Sequence, residues 1–450
     1  MKIAMLAWES MHSIAVGGIA PHVTELSLAL KARGHEVHIF TRKKETQRRY
    51  DLIDGIHYHR CAYDYNPDFL IDMANMADSF YRQLADVEDG YGEHFDIVHG
   101  HDWMITPALA RVKNERHGSV VMTVHSTEYG RCGNELFWHG QSKRIRDLEW
   151  EGTYIADRVI CVSESLRKET QWLYSGPSEK AVPIYNGVDA KRFDIPVDVQ
   201  EVRRSCKVQS DEPYILFAGR LAWQKGPDLL LDAAPTVLKK YPKAKFVFAG
   251  EGDMRPQLEA RVSATDITPS IRFIGYRAGK DLVGLFKSAD LIVVPSRNEP
   301  FGIVILEAWS AVKAVVATRT GGPAEFVRHK DTGWTVPCDA DSIGEGLRSV
   351  LADDSHARRM GIAGRKEAET RFSWENIASQ TEAIYLSIGK TPAATQSAQN
   401  NGKASAVSPT LEQIRRRAYE IYLQRNGLPG DPEADWRQAE QEVRAIAPKK

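Results

Sequence analysis

The sequence predicts an α/β protein of two Rossmann-like domains facing each other across a cleft, with a small helical appendage. Three observations carry this. Short apolar runs alternate with amphipathic helical patterns, as parallel βαβ units require. The alternation restarts after a polar segment at 186–213. And 450 residues are too many for one ordinary core.

In the first half, strands are expected at 2–7, 36–41, 97–99, 119–125 and 158–163, with a helix over 21–33 that Gly34 ends. In the second half they are expected at 214–218, 245–249, 271–274, 291–295 and 314–318, with a helix over 227–241. The domains then run 1–190 and 191–370, followed by a helix at 371–389 that packs back towards the first domain. Residues 390–409 are rich in Ala, Ser, Gln, Asn and Thr and read as a flexible linker. Residues 410–448 regain a helical pattern on either side of Gly427-Leu428-Pro429-Gly430-Asp431-Pro432, a helical hairpin.

The 59 basic and 60 acidic side chains leave a net charge of −1, so no overall field favours nucleic acid or an anionic membrane. No apolar run approaches the roughly 20 residues a bilayer span needs. Glu9 interrupts the apolar start, which favours a buried strand over a signal peptide. Five scattered cysteines without a C-x-x-C pair argue against disulfides or a zinc site and suit the cytoplasm.

Ligand loops of such domains lie at the carboxyl ends of strands. Gly17-Gly18 follows the first strand and precedes a helix, whose N-terminal N–H groups suit an anion; the pair also fits a plain turn. Arg220 and Lys225 follow the first strand of the second half, where two cations suit a diphosphate and equally a solvated loop. Glu299 lies in the loop after the 291–295 strand, a helix starts near Phe301-Gly302, and Glu307 lies inside it. Two carboxylates there can accept hydrogen bonds from sugar and ribose hydroxyls. A cap and a surface charge explain each alone, but not the three elements together. His101, in Gly100-His101-Asp102-Trp103, has no second metal ligand at useful spacing, and His125 at a strand end also fits a satisfied core histidine.

Together with Gly34-His35-Glu36-Val37, Asn186-Gly187-Val188-Asp189 and Gly250-Glu251-Gly252, these pieces resemble glycosyltransferase family 4, a retaining group with the GT-B architecture, over residues 1–388. The resemblance implies a nucleotide diphosphate sugar donor and no metal or other cofactor. Arg220 and Lys225 then neutralise the leaving diphosphate beside Gly17 and Gly18. Glu307 holds the ribose, Glu299 with Phe301, Gly302 and Ile303 holds the donor sugar, His125 sits at the reacting centre, and Ile274 and Tyr276 line the base pocket. The chain departs from the family at Trp309–Ala314, where a glycine is missing and the helix end is put in question.

The stretch His125–Asn134 with Arg146–Trp150 further resembles glycogen synthases and α-1,4-glucan glucosyltransferases. That implies glucose as the sugar, ADP- or UDP-glucose as donor and an α-glucan as acceptor. His101, Trp103 and Tyr129, with Phe137, Trp138 and Trp150, then become acceptor candidates, unless they pack the core. Lipid, small-molecule or other polysaccharide acceptors remain open, as do a non-catalytic carbohydrate-binding protein, an epimerase and a phosphorylase. The tail resembles a small bacterial domain of unknown function. Nothing in the sequence sets the oligomeric state.

Overall fold

The computed structural model describes residues 1–137, 139–174 and 179–388, and in the tail 417, 421 and 437–443. Two sheets form the two domains. The first contains β1 (Lys2–Leu6), β2 (Glu36–Arg42), β3 (Tyr50–Ile53), β4 (Ile56–Cys61), β5 (Ile97–His101), β6 (Val120–Val124), β7 (Arg158–Cys161) and β8 (Ala181–Pro183), in the order β3-β4-β2-β1-β5-β6-β7-β8. Every pair is parallel except β3 with β4. The second contains β9 (Tyr214–Ala218), β10 (Lys245–Ala249), β11 (Ile271–Phe273), β12 (Leu291–Val294), β13 (Ala314–Thr318) and β14 (Trp334–Val336), all parallel, in the order β11-β10-β9-β12-β13-β14. Central strands are buried on both faces, which is why they read as unbroken apolar runs rather than alternating ones.

The strand order reverses beside β1 in one sheet and beside β9 in the other, and a doubly wound sheet opens its ligand crevice at that point. The loops after β1 and β9 carry Gly17-Gly18 and Arg220–Lys225 respectively. Topology thus brings together motifs two hundred residues apart.

The polar 186–213 segment is not a bare linker. Its helix Val199–Ser205 sends Arg203 to the carbonyls of Ser288, Gln209 and Glu212 and fastens the segment to the second domain. The helix Trp374–Ile388 packs on Ile19–Ala32 of the first domain, where Glu382 pairs with Arg33 and His35, and Tyr385 Oη meets His99 Nδ1 at 2.7 Å.

The missing glycine after Trp309 has a structural answer. Helix Ile303–Ser310 ends at Ala311, and Val312 takes the left-handed conformation with φ 58°. A glycine adopts this at little cost, whereas a β-branched residue is strained there. Trp309 is fully buried and donates Nε1–H to the Thr332 carbonyl at 2.8 Å, anchoring the turn from inside.

The linker at 390–409 and most of the 410–448 hairpin lie outside the described residues. Within it, Ile421 and Ala439 are buried, Val443 packs against them, and Arg417 pairs with Glu442.

Candidate active site

The second-domain wall is charged. Lys225 Nζ lies 2.9 and 2.8 Å from the two carboxylate oxygens of Glu299, and Ser296 Oγ donates to Glu299 at 2.9 Å. Each of these two assigned groups is therefore the other's counter-ion. Arg220 is exposed and reaches Gln224 Oε1 at 3.5 Å. Gly302, with φ 101°, starts the Ile303–Ser310 helix with no side-chain cap, so that N-terminus is open to an anion. Gly321 holds the adjoining loop against Glu299: a Cβ there would stand 2.0 Å from the Glu299 carbonyl oxygen. Burial pushes the Glu307 carboxyl up to about 7, with Arg192 the nearby charge opposing the shift.

The first-domain wall is a stack of imidazoles. His101 Nδ1 lies 3.1 Å from His125 Nε2, His99 lies beneath His101 with centroids 4.4 Å apart, and His22 meets His125 edge-on at 4.6 Å. Burial holds His125 down to about 3 and the other three well below the usual histidine range, so the stack is uncharged. Asp102 fixes its upper end. Its carboxylate accepts the His125 N–H at 2.7 Å while its own backbone sits at φ 61°, a strained position for a non-glycine residue. Burial raises its carboxyl to about 6.

The Gly17-Gly18 turn is not empty. Glu9 Oε2 accepts N–H groups of Val16 and Gly17 at 2.6 and 2.7 Å, so the amide assigned to the diphosphate is occupied by a buried carboxylate. Gly18 still faces the partner wall: a Cβ there would lie 3.1 Å from the Ile303 side chain, and Gly18 itself offers Ile19–Ala32 no side-chain cap. The helix N-terminus at Gly302 thus meets across the cleft the one at Gly18, whose first N–H groups Glu9 already holds. Further along, Asn298 donates to Asn134 at 2.7 Å, and Glu325 accepts the backbone N–H groups of Glu164 and Ser165, capping a helix of the opposite domain. Between these contacts lies a pocket of about 170 Å³ lined by Asn134, Glu169, Arg297, Asn298, Thr320 and Gly321.

Several expected acceptor residues lie elsewhere. Trp103 is 4% exposed and packs on Phe69 in the core, and His101 is fully buried under His125, so each supports the wall from behind. Tyr129 is half-buried and meets the exposed ring of Trp172, a residue that no motif marks. Phe137 is partly open, Trp150 stacks on Tyr154, and Trp138 lies outside the described residues. Phe301 is buried among Phe326, Phe372 and Tyr185, leaving its backbone at the site. Ile274 N–H donates to the Phe248 carbonyl, and Tyr276 is 55% exposed beyond β11. The spacing argument against a metal at His101 does not hold in space. One nitrogen each of His22, His101 and His125 lies within 4.8 Å of the others, a geometry able to hold an ion.

Residues 16–192 match the model described as Glycosyltransferase Family 4, and 198–367 that of Glycosyl transferases group 1. An uncharacterised glycosyltransferase of Methanocaldococcus jannaschii is 38% identical over 389 residues, 86% of this chain and 98% of that one. The chain belongs to glycosyltransferase family 4. This family 4 enzyme is also 28% identical to a glycogen synthase of Mycobacterium tuberculosis (86% of this chain, 94% of that one). It is 28% identical to a D-inositol 3-phosphate glycosyltransferase of Jonesia denitrificans (82% and 91%). Sucrose-phosphate synthase from Thermosynechococcus elongatus shares the GT-B fold at TM-score 0.72 and 24% identity, covering 86% of this chain and 99% of that one. So does Anabaena HepE in complex with UDP-glucose, at TM-score 0.68 and 19% identity over 86% and 100%. Residues 409–445 match a family of unknown function, DUF2934.

Proposed function

We propose that this glycosyltransferase moves glucose, with retention, from ADP- or UDP-glucose to the non-reducing end of an α-1,4-glucan. The carrying observation is the helix N-terminus at Gly302, free of a side-chain cap, beside the Lys225–Glu299 pair, with Arg220 on the same wall and Gly18 facing it from the other domain. Negative charge that grows on a leaving diphosphate finds fixed positive charge and oriented N–H groups there, the arrangement that contributes most to such reactions. Residues 1–190 bind the acceptor and 191–370 the donor.

In this reading Arg220 and Lys225 hold the diphosphate, and its arrival frees Glu299 for hydroxyls of the donor sugar. Glu307 accepts from the ribose, Ile274 and Tyr276 border the base, and the Gly302 and Ile303 N–H groups face the donor. The anomeric C–O bond breaks towards the diphosphate while the acceptor hydroxyl attacks the same face and passes its proton to the departing phosphate oxygen. Uncharged His125, held by Asp102 and His101, contacts the sugar without adding charge that would oppose an oxocarbenium-like centre. No divalent cation is needed where these groups already meet the diphosphate. Five free cysteines fit a reducing compartment, the cytoplasm, and no described helix is long and apolar enough to cross a membrane.

Labelled ADP- or UDP-glucose with glycogen or maltooligosaccharides tests this: the expected result is extension by α-1,4 units. The inositol-phosphate relative supports a second reading, a small phosphorylated polyol acceptor. Inert glucans with glycosylation of such a polyol would replace the first reading by the second.

A further inference from the structure

The helix Glu164–Tyr174 turns one face to the pocket between the domains and carries an aromatic ring just beyond it. Ser165, Leu166 and Glu169 line the pocket, and Trp172 follows Glu169 by three residues on the same face, 57% exposed. From Ser165 to Trp172 the helix rises roughly 10 Å, a length that takes more than one sugar ring.

A second rail runs beside this face. Thr127 Oγ1 donates to Glu169, and Tyr129 meets the Trp172 ring edge-on with centroids 5.2 Å apart. Asn134, at the pocket, donates its N–H to the Tyr129 carbonyl at 2.9 Å, so pocket and rings share one turn. Gly130 lets that turn approach the other domain: a Cβ there would stand 3.0 Å from the Asn298 amide. The result is one surface, polar at its inner end and aromatic at its outer end.

The inner end selects among ligands by charge. Glu169 already accepts from Thr127 and Asn298, which leaves its carboxylate lone pairs for further hydroxyls. Arg297 is held by both carboxylate oxygens of Asp228, at 2.8 and 2.6 Å, so its charge is neutralised. A phosphate entering here would meet the Glu169 carboxylate and a guanidinium already paired, whereas a neutral polyol meets hydroxyl-binding groups. The volume of about 170 Å³ is below the ~300–1,000 Å³ of a whole-ligand site and suits one ring of a longer molecule. At the outer end, the apolar C–H face of a pyranose can lie on an aromatic ring while its hydroxyls stay in water, a contact that a large rigid indole favours.

We propose that Glu169 and Asn298 hold one glucose unit of the acceptor chain in this pocket, and that Trp172, steadied by Tyr129, stacks on units further from the reacting end. The enzyme then favours long glucans over short ones. This subsite rests on the glucan reading of the transfer.

Initial rates with labelled ADP- or UDP-glucose on maltose through maltoheptaose test it. In the unaltered enzyme KM should fall by about tenfold along the series at nearly constant kcat, the scale of one aromatic stacking contact. Trp172→Ala, at an exposed position, should remove that fall while KM for maltose stays within about twofold, and Trp172→Phe should keep most of it. Glu169→Gln should raise KM for every chain length by about fivefold or more with the donor KM unaltered, as loss of a charged acceptor of hydroxyls requires. A length dependence untouched in Trp172→Ala overturns the proposal, as does an equal loss for maltose and maltoheptaose. If the unaltered enzyme extends no maltooligosaccharide, the glucan reading itself falls and the subsite with it. A phosphorylated polyol acceptor whose KM rises in Glu169→Gln would assign the pocket to that ligand instead.

Discussion

The two walls of the cleft solve opposite electrostatic problems. The second-domain wall keeps its charges: Lys225 and Glu299 neutralise each other, Arg220 stays in solvent, and a bare helix N-terminus stands beside them. The first-domain wall removes charge by burying four histidines in one stack. A group that must stabilise developing charge has to be charged before the reaction starts, whereas a group that shapes the reacting centre is better neutral. Burial decides which a side chain becomes.

The largest test of this contrast removes the charged wall. Arg220→Ala or Lys225→Ala should lower kcat by about a hundredfold or more, the scale of losing one preorganised charge-stabilising group. Steady-state turnover of a folded variant checks it, and an unchanged kcat would dissolve the contrast. Next is the backbone strain at Val312. Val312→Gly should stabilise the protein by about 1–2 kcal/mol, the cost of left-handed backbone for a side-chain-bearing residue. Denaturant unfolding reads this, and a loss of stability would mean that packing of the valine outweighs the strain.

A smaller effect comes from Glu307. Its carboxyl titrates near 7 because it is buried. Ionised, it accepts ribose hydroxyls better, so nucleotide affinity should rise severalfold between about pH 6 and pH 8. Glu307→Gln should flatten that rise; calorimetry with UDP at both pH values decides, and a profile unchanged by the substitution removes Glu307 from the ribose. The smallest expected effect is that of a chelator. Excess EDTA should leave turnover unaltered, while abolished turnover restored by manganese would place a metal at the diphosphate.

Much of the architecture was legible because the parallel strands are apolar throughout: the 214–218, 245–249 and 314–318 strands lie where the sequence puts them. The hairpin of β3 and β4 escaped notice although Asp54-Gly55, both at positive φ, marks its turn, because β3 is half exposed and β4, though mostly buried, carries His, Tyr and Arg in place of an apolar run. β8 and β14, at three residues each, are too short to show a pattern. Charged motif residues at strand ends could be named from sequence, since topology alone places strand ends. Glu9, Asp102 and Glu325 could not, because each acts on backbone N–H groups, and a backbone partner leaves no trace in residue identity. The histidine stack was hidden by separations of 79 and 24 residues, which the fold reduces to ring contacts.

Glu325 has one more consequence. Its two carboxylate oxygens finish the first turn of a helix that belongs to the opposite domain, and Tyr185 Oη donates to it as well. Separating the domains along this seam hands two backbone donors and a carboxylate back to water and leaves the first turn of that helix to Ser163 Oγ, which accepts the Leu166 N–H.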